Sequence, residues 1–93
     1  MSLQTLTILG ATGSIGSQTL DLVARHPDRF SIFALTGHRK VEILAGQCRR
    51  FRPQIAVVAD DAAARELKAL LGNTTTQVLA GPKALEEVAR EPS

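Results

Sequence analysis

The sequence predicts an α/β domain: a parallel sheet with helices packed against it. Three observations carry this. Short β-prone apolar runs alternate with helical spacing four times along the chain, and strands alternating with helices of this length imply a parallel sheet. A Gly-x-x-Gly-x-x-Gly turn joins the first strand to the first helix. The 93 residues are 44% hydrophobic and 22% charged, the composition of one small globular unit rather than a disordered chain.

Each element has its own warrant. Residues 5–9, TLTIL, read as a strand buried on both faces. Helix 1 is expected over about residues 14–25, with Ile15 opening a buried stripe through Thr19, Leu20, Leu22 and Val23, and Pro27 enforcing the stop. Residues 31–36, SIFALT, form strand 2, closed by Gly37. Val41, Leu44, Cys48 and Phe51 share one helical face that ends before Pro53. Residues 54–59, QIAVVA, form strand 3. Asp60 and Asp61 suit the start of the next helix, whose apolar residues are Ala64, Leu67, Leu70 and Leu71 and whose end is near Gly72. Residues 77–80, QVLA, are a shorter strand. Pro82 opens helix 4, Leu85, Val88 and Ala89 are its apolar face, and Glu91-Pro92-Ser93 ends it.

Composition excludes several function classes. No apolar run reaches the roughly 18 residues needed to span a bilayer, and the N-terminus lacks a signal-peptide pattern. The single cysteine, Cys48, allows no internal disulfide and no thiolate metal cluster, which fits a reducing compartment. A net charge of +2 is too balanced for a dedicated nucleic-acid binder. With three Phe, no Tyr and no Trp, few stacking platforms exist for single strands.

The turn Gly10-Ala11-Thr12-Gly13-Ser14-Ile15-Gly16 carries the functional signal. Its first glycine allows a sharp turn after the strand, its second removes a side chain where a pyrophosphate approaches, and its third lets the helix pack closely. Free N–H groups and the positive end of the helix dipole then face an anion. Thr12 and Ser14 add hydroxyls, and Ile15 is placed to lie beside a cofactor. The alternative is a bare strand-to-helix turn; the strand–turn–helix context favours nucleotide binding and a Rossmann-like unit.

In NAD-binding units an acidic residue about 20 positions beyond the glycines holds the ribose 2′-hydroxyl. Here Thr36 and Gly37 occupy that place, followed by His38, Arg39 and Lys40. A missing carboxylate with two cations accommodates a 2′-phosphate, so NADP(H) is read over NAD(H). The other reading of Arg39 and Lys40 is a solvated loop pair. Cys48 reads as a small buried hydrophobe. Arg49, Arg50 and Arg52 suit the C-terminus of helix 2, His26 a helix end, and Asp60 and Asp61 caps. No acid–base pair, activated nucleophile or metal-ligand cluster is visible, so no catalytic or metal residue is assigned.

The segments TILGATGSIGSQTLDLVARHPDRF and FALTGHRKVEILAGQCRRFRPQIAVVAD resemble the start of the 1-deoxy-D-xylulose 5-phosphate reductoisomerase family. The carrying features are the Gly-Ala-Thr-Gly-Ser-Ile-Gly turn, Thr19-Leu20-Asp21 in helix 1, the His-Pro stop, the Ala-Leu strand end before a basic loop, and Val78 to Gly81. The resemblance implies conversion of 1-deoxy-D-xylulose 5-phosphate to 2-C-methyl-D-erythritol 4-phosphate in non-mevalonate isoprenoid biosynthesis, with NADPH and a divalent metal, Mg²⁺ or Mn²⁺. It implies a cytoplasmic homodimer acting on a phosphosugar, while the composition above argues for no nucleic-acid or membrane partner. By matching position, the cofactor contacts are Thr12, Gly13, Ser14, Ile15, Gly37, Arg39 and Lys40. The loop His38-Arg39-Lys40 departs from a common family form, Gly-Lys-Asn, while keeping positive charge.

Family members are several times longer, so residues 1–93 are expected to be a partial N-terminal NADPH-binding domain. The catalytic and C-terminal domains, metal ligands and lid would then lie beyond it, and no turnover is expected from this part alone. The resemblance also implies strand order 4-3-2-1, which makes strand 1 an edge able to pair with another chain. Three other readings stay open: a different NADP-dependent reductase of the short-chain or semialdehyde-dehydrogenase kind, a non-catalytic NADP-sensing module, and a nucleotide-free α/β domain.

Overall fold

The computed structural model describes residues 4–90. Eight elements alternate in chain order: β1 (Gln4–Ile8), α1 (Ser14–Arg25), β2 (Phe30–Thr36), α2 (Val41–Phe51), β3 (Ile55–Val58), α3 (Asp61–Leu71), β4 (Gln77–Ala80) and α4 (Pro82–Arg90). The expected stop at Glu91-Pro92-Ser93 lies outside the described residues. All strand pairings are parallel, as an unbroken β-α alternation requires, because the chain must cross back before each new strand.

The expected strand order, 4-3-2-1, is corrected to β1-β2-β3-β4. The sheet is built sequentially from the β1 edge, each strand pairing with its predecessor. Its neighbour pairs read alike from either edge, so the correction concerns the direction in which the sheet grows. The physical reason is connection length: each short α crossover returns the chain to the position beside the strand just laid down.

Strand alternation divides the core. Ala56 and Val58 point into a layer with Leu20 and Val23 of α1, Leu44 and Cys48 of α2, and Ala64 and Leu67 of α3. Val57, between them, faces the other way and meets Ala34 and Val88 of α4, as a two-residue period demands. Helices therefore cover both faces, three in one cluster and α4 in the other.

Several expected apolar positions do not enter these layers. Ile15 is 81% exposed and does not open the buried stripe of α1; Gly16, Leu20 and Val23 are its buried residues. Leu22, Leu70 and Leu85 are also exposed. A four-stranded sheet is narrow, so only the central line of each helix reaches it and residues one step off that line stay in solvent.

The termini follow local chemistry. Asp60 caps α3, its Oδ1 accepting from the Ala63 N–H at 2.9 Å. Arg52 ends α2 in the left-handed region, at φ 50°, and the buried Pro53 blocks continuation. His26 closes α1 through its backbone N–H, which donates to the Val23 carbonyl. Arg49 donates to the Leu70 carbonyl at 2.6 Å and so links the C-terminal ends of α2 and α3.

Candidate functional site

Parallel strands deliver all their C-terminal ends to one rim, and ligands of open α/β sheets bind there. The segments leaving β1, β2 and β3 are tied together at this rim by short hydrogen bonds. The Gly10 N–H donates to Thr36 Oγ1 at 2.8 Å, and the Ala11 N–H to the Thr36 carbonyl at 2.7 Å. The Gly37 N–H donates to the Val57 carbonyl at 2.9 Å, and the Ala59 N–H to the His38 carbonyl at 3.0 Å. The glycine turn and the loop after β2 are thus one connected surface.

The turn's three glycines have different physical grounds. Gly10 adopts φ +68°, a backbone conformation side chains strongly disfavour. Gly16 is held against the turn: a β-carbon there would lie 2.7 Å from the Ala11 α-carbon. Gly13 has neither constraint; it is the N-cap of α1 in extended conformation, with no side-chain cap bond.

What the turn offers chemically is unpaired donors. The backbone N–H groups of Thr12, Ser14 and Ile15 have no acceptor among the described residues. They sit at the N-terminus of α1, whose first turn carries no acidic residue, so the positive end of its dipole is uncompensated. Gly13, Ser14 and Ile15 are exposed and Thr12 is half-buried.

The other expected residues fall on the same rim. A β-carbon on Gly37 would lie 3.4 Å from the Thr12 methyl carbon, so the loop after β2 abuts the turn directly. Arg39 and Lys40 follow it in solvent. Arg39 Nη2 lies 3.9 Å from Asp60 Oδ2, with the two side chains 72% and 50% exposed. No ion pair involves Lys40 among the described residues.

A cleft of about 630 Å³ opens beside the turn, lined by Leu9, Gly10, Gly37, Val58, Pro82 and Leu85 among others. Thr12, Gly13, Ser14, Ile15, Arg39 and Lys40 stand outside this cleft. The rim therefore brings together an apolar cleft, a glycine turn with unpaired backbone donors and a loop carrying two cationic side chains.

Two contributors and one further contact of a residue read as a cap were missed in the sequence. Thr36 is buried and fixes the turn through its hydroxyl. Gln47 of α2 donates from Nε2 to the Ala11 carbonyl at 2.7 Å. Asp60, which caps α3 as expected, also meets Arg39. The signal for Gln47 was present, since it is a polar residue between Leu44 and Cys48 on the apolar side of α2. No group of three or more His, Cys, Asp or Glu suited to a metal exists among the described residues, and no helix among them is long and apolar enough to cross a membrane.

The chain as a whole is similar to known proteins. A solved 1-deoxy-D-xylulose 5-phosphate reductoisomerase from Zymomonas mobilis, in complex with NADPH, superposes with a TM-score of 0.90 at 43% identity, over 95% of this chain and 23% of that one. A reductoisomerase structure in complex with NADPH, fosmidomycin and magnesium gives 0.89 at 35% identity, over 98% and 22%. The curated reductoisomerase of Laribacter hongkongensis is 62% identical over 87 residues, 94% of this chain and 22% of its own length. That of Aromatoleum aromaticum is 55% identical over 92 residues, 97% and 23%. The chain thus spans less than a quarter of the length of these relatives. The family profile for 1-deoxy-D-xylulose 5-phosphate reductoisomerase matches residues 6–93, nearly the whole sequence from β1 onward, and the chain belongs to that family.

Proposed function

We propose that this chain binds NADPH on the rim of its sheet, as part of a protein converting 1-deoxy-D-xylulose 5-phosphate to 2-C-methyl-D-erythritol 4-phosphate. The observation that carries this reading is the set of unpaired N–H groups of Thr12, Ser14 and Ile15 at the start of α1. Backbone donors at a helix N-terminus form a diphosphate site without further machinery. Gly13 leaves the approach clear, and Ile15 presents an exposed apolar side chain beside it. Gly37 carries the chain past Thr12, and Arg39 and Lys40 bind the 2′-phosphate, the arginine with two donors and the lysine as a point charge. The apolar cleft suits a flat aromatic ring such as adenine. The Zymomonas mobilis relative, solved in complex with NADPH, supports the choice of dinucleotide.

The chemistry NADPH supplies when bound is hydride. The residues here bind and orient; none is placed to move a proton. The metal, Mg²⁺ or Mn²⁺, and the phosphosugar are read as belonging to residues other than those described. The working protein is read as a cytoplasmic homodimer, and residues 1–93 as the N-terminal part of its NADPH-binding domain.

Titrating NADPH and NADH against the folded chain by fluorescence tests the reading. Saturable binding with NADPH much tighter than NADH is expected. No binding of either, with a cooperative melting curve, overturns it in favour of a nucleotide-free domain.

A further inference from the structure

We propose that Gln47 is a positioning residue that sets the aim of the diphosphate-binding turn; this rests on the nucleotide reading above. The side chain reaches from α2 to a backbone carbonyl 36 positions away, with Nε2 donating to Ala11 at 2.7 Å. Ser17 Oγ donates to the same carbonyl at 3.3 Å. The Ala11 N–H is held from the other side by the Thr36 carbonyl at 2.7 Å. Ala11 itself is fully buried.

The consequence follows from peptide geometry. The Ala11 carbonyl and the Thr12 N–H belong to one planar unit, which is trans, since no cis peptide occurs among the described residues. In a trans unit the C=O and N–H point in opposite directions. A carbonyl drawn inward to α2 therefore turns the Thr12 N–H outward, and that N–H has no acceptor in the protein. Gln47 thus aims a phosphate donor it never touches.

The side chain's other atom bears on this. Gln47 Oε1 is buried with no hydrogen-bond partner. Of the carboxamide's two polar atoms, only the donor is hydrogen-bonded. Replacing it with a carboxylate would set two acceptors against each other at the turn.

The experiment compares Gln47→Met and Gln47→Glu with the unaltered chain, using three ligands: NADPH, NADH and adenosine 2′-monophosphate. The last carries the 2′-phosphate and adenine but no diphosphate. Both variants should weaken NADPH and NADH by the same factor, about tenfold for one lost hydrogen bond of this kind. Binding of adenosine 2′-monophosphate should stay within about twofold of the unaltered chain, because its contacts are elsewhere on the rim. The Thr12 amide resonance should shift in the ligand-free variants. Both substitutions remove the amide donor, so whichever remains folded is decisive. Unchanged dinucleotide affinity in a folded variant overturns the proposal, as does an equal loss for adenosine 2′-monophosphate, which would mark Gln47 as merely structural. Failure of the unaltered chain to bind any dinucleotide overturns the nucleotide reading itself, and this proposal with it.

Discussion

Gly16 lies against the turn with no space for a side chain: a β-carbon on it would sit 2.9 Å from the Gly10 carbonyl carbon and 2.7 Å from the Ala11 α-carbon. Both neighbours are backbone, so relief requires moving the turn or the helix. Gly16→Ala should cost about 1–3 kcal/mol, the usual range for overpacking, and lower the melting temperature by roughly 5–20 °C in a chain of this size. Gly13→Ala meets only the Gly10 carbonyl oxygen, at 3.4 Å. Its stability loss should stay under about 1 kcal/mol, while its NADPH affinity falls by about tenfold or more as the phosphate approach is blocked. Thermal melts paired with NADPH titrations separate the two. Equal destabilisation by both substitutions would remove the distinction between a packing glycine and a binding one.

The proposed 2′-phosphate role of Arg39 and Lys40 predicts different effects on the two dinucleotides. The double substitution Arg39→Ala with Lys40→Ala should weaken NADPH by at least about tenfold, since hydrogen bonds to charged groups are worth about 1.5–3 kcal/mol, and leave NADH nearly unchanged. Equal losses for the two would refute the 2′-phosphate assignment. Asp60 provides the control. Its contact with Arg39 is long and solvated, a geometry worth little to stability, whereas its cap on Ala63 is a short bond. Urea unfolding should show Asp60→Asn within about 0.5 kcal/mol of the parent and Asp60→Ala about 1 kcal/mol lower.

These contrasts mark where the sequence was legible. Periodicity placed all eight elements, because an apolar residue every second or every third to fourth position is a local property, readable without knowing what lies opposite. The glycine turn was legible for a similar reason: strand, turn and helix are contiguous. Burial was less legible. Ile15 and Leu85 follow helical spacing, yet the narrow sheet leaves them in solvent. The supports of the site were the hardest to see. Thr36 meets Gly10 across 26 positions and Gln47 meets Ala11 across 36, and no local pattern encodes contacts that exist only after the strands are ordered.

The edge position of β1 has a measurable consequence. Among the described residues, β1 pairs only with β2, which leaves one row of N–H and C=O groups along Gln4–Ile8 without a strand. Such an edge invites pairing with another chain. Residues 1–93 alone should self-associate in a concentration-dependent manner. Sedimentation velocity over a hundredfold concentration range is the measurement. A single monomeric species throughout, combined with cooperative unfolding, would show that the edge is protected.

Cys48 couples stability to alkaline pH. It is 3% exposed in the core between α2 and the sheet. Burial pushes its thiol up from 9.0 to about 11, with Arg49 pulling weakly the other way. The folded state therefore keeps a proton that the unfolded state gives up. The resulting stability is fully present below pH 9 and is lost as pH rises toward 11, a total of about 2–3 kcal/mol. The informative quantity is a difference between two proteins. Between pH 8 and pH 10.5 the unaltered chain should lose about 2 kcal/mol more unfolding free energy than Cys48→Ala, whose cavity penalty does not vary with pH. Parallel curves for the two proteins would mean that the thiol ionises as readily in the folded chain as in the unfolded one, and that the packing of α2 against the sheet admits water.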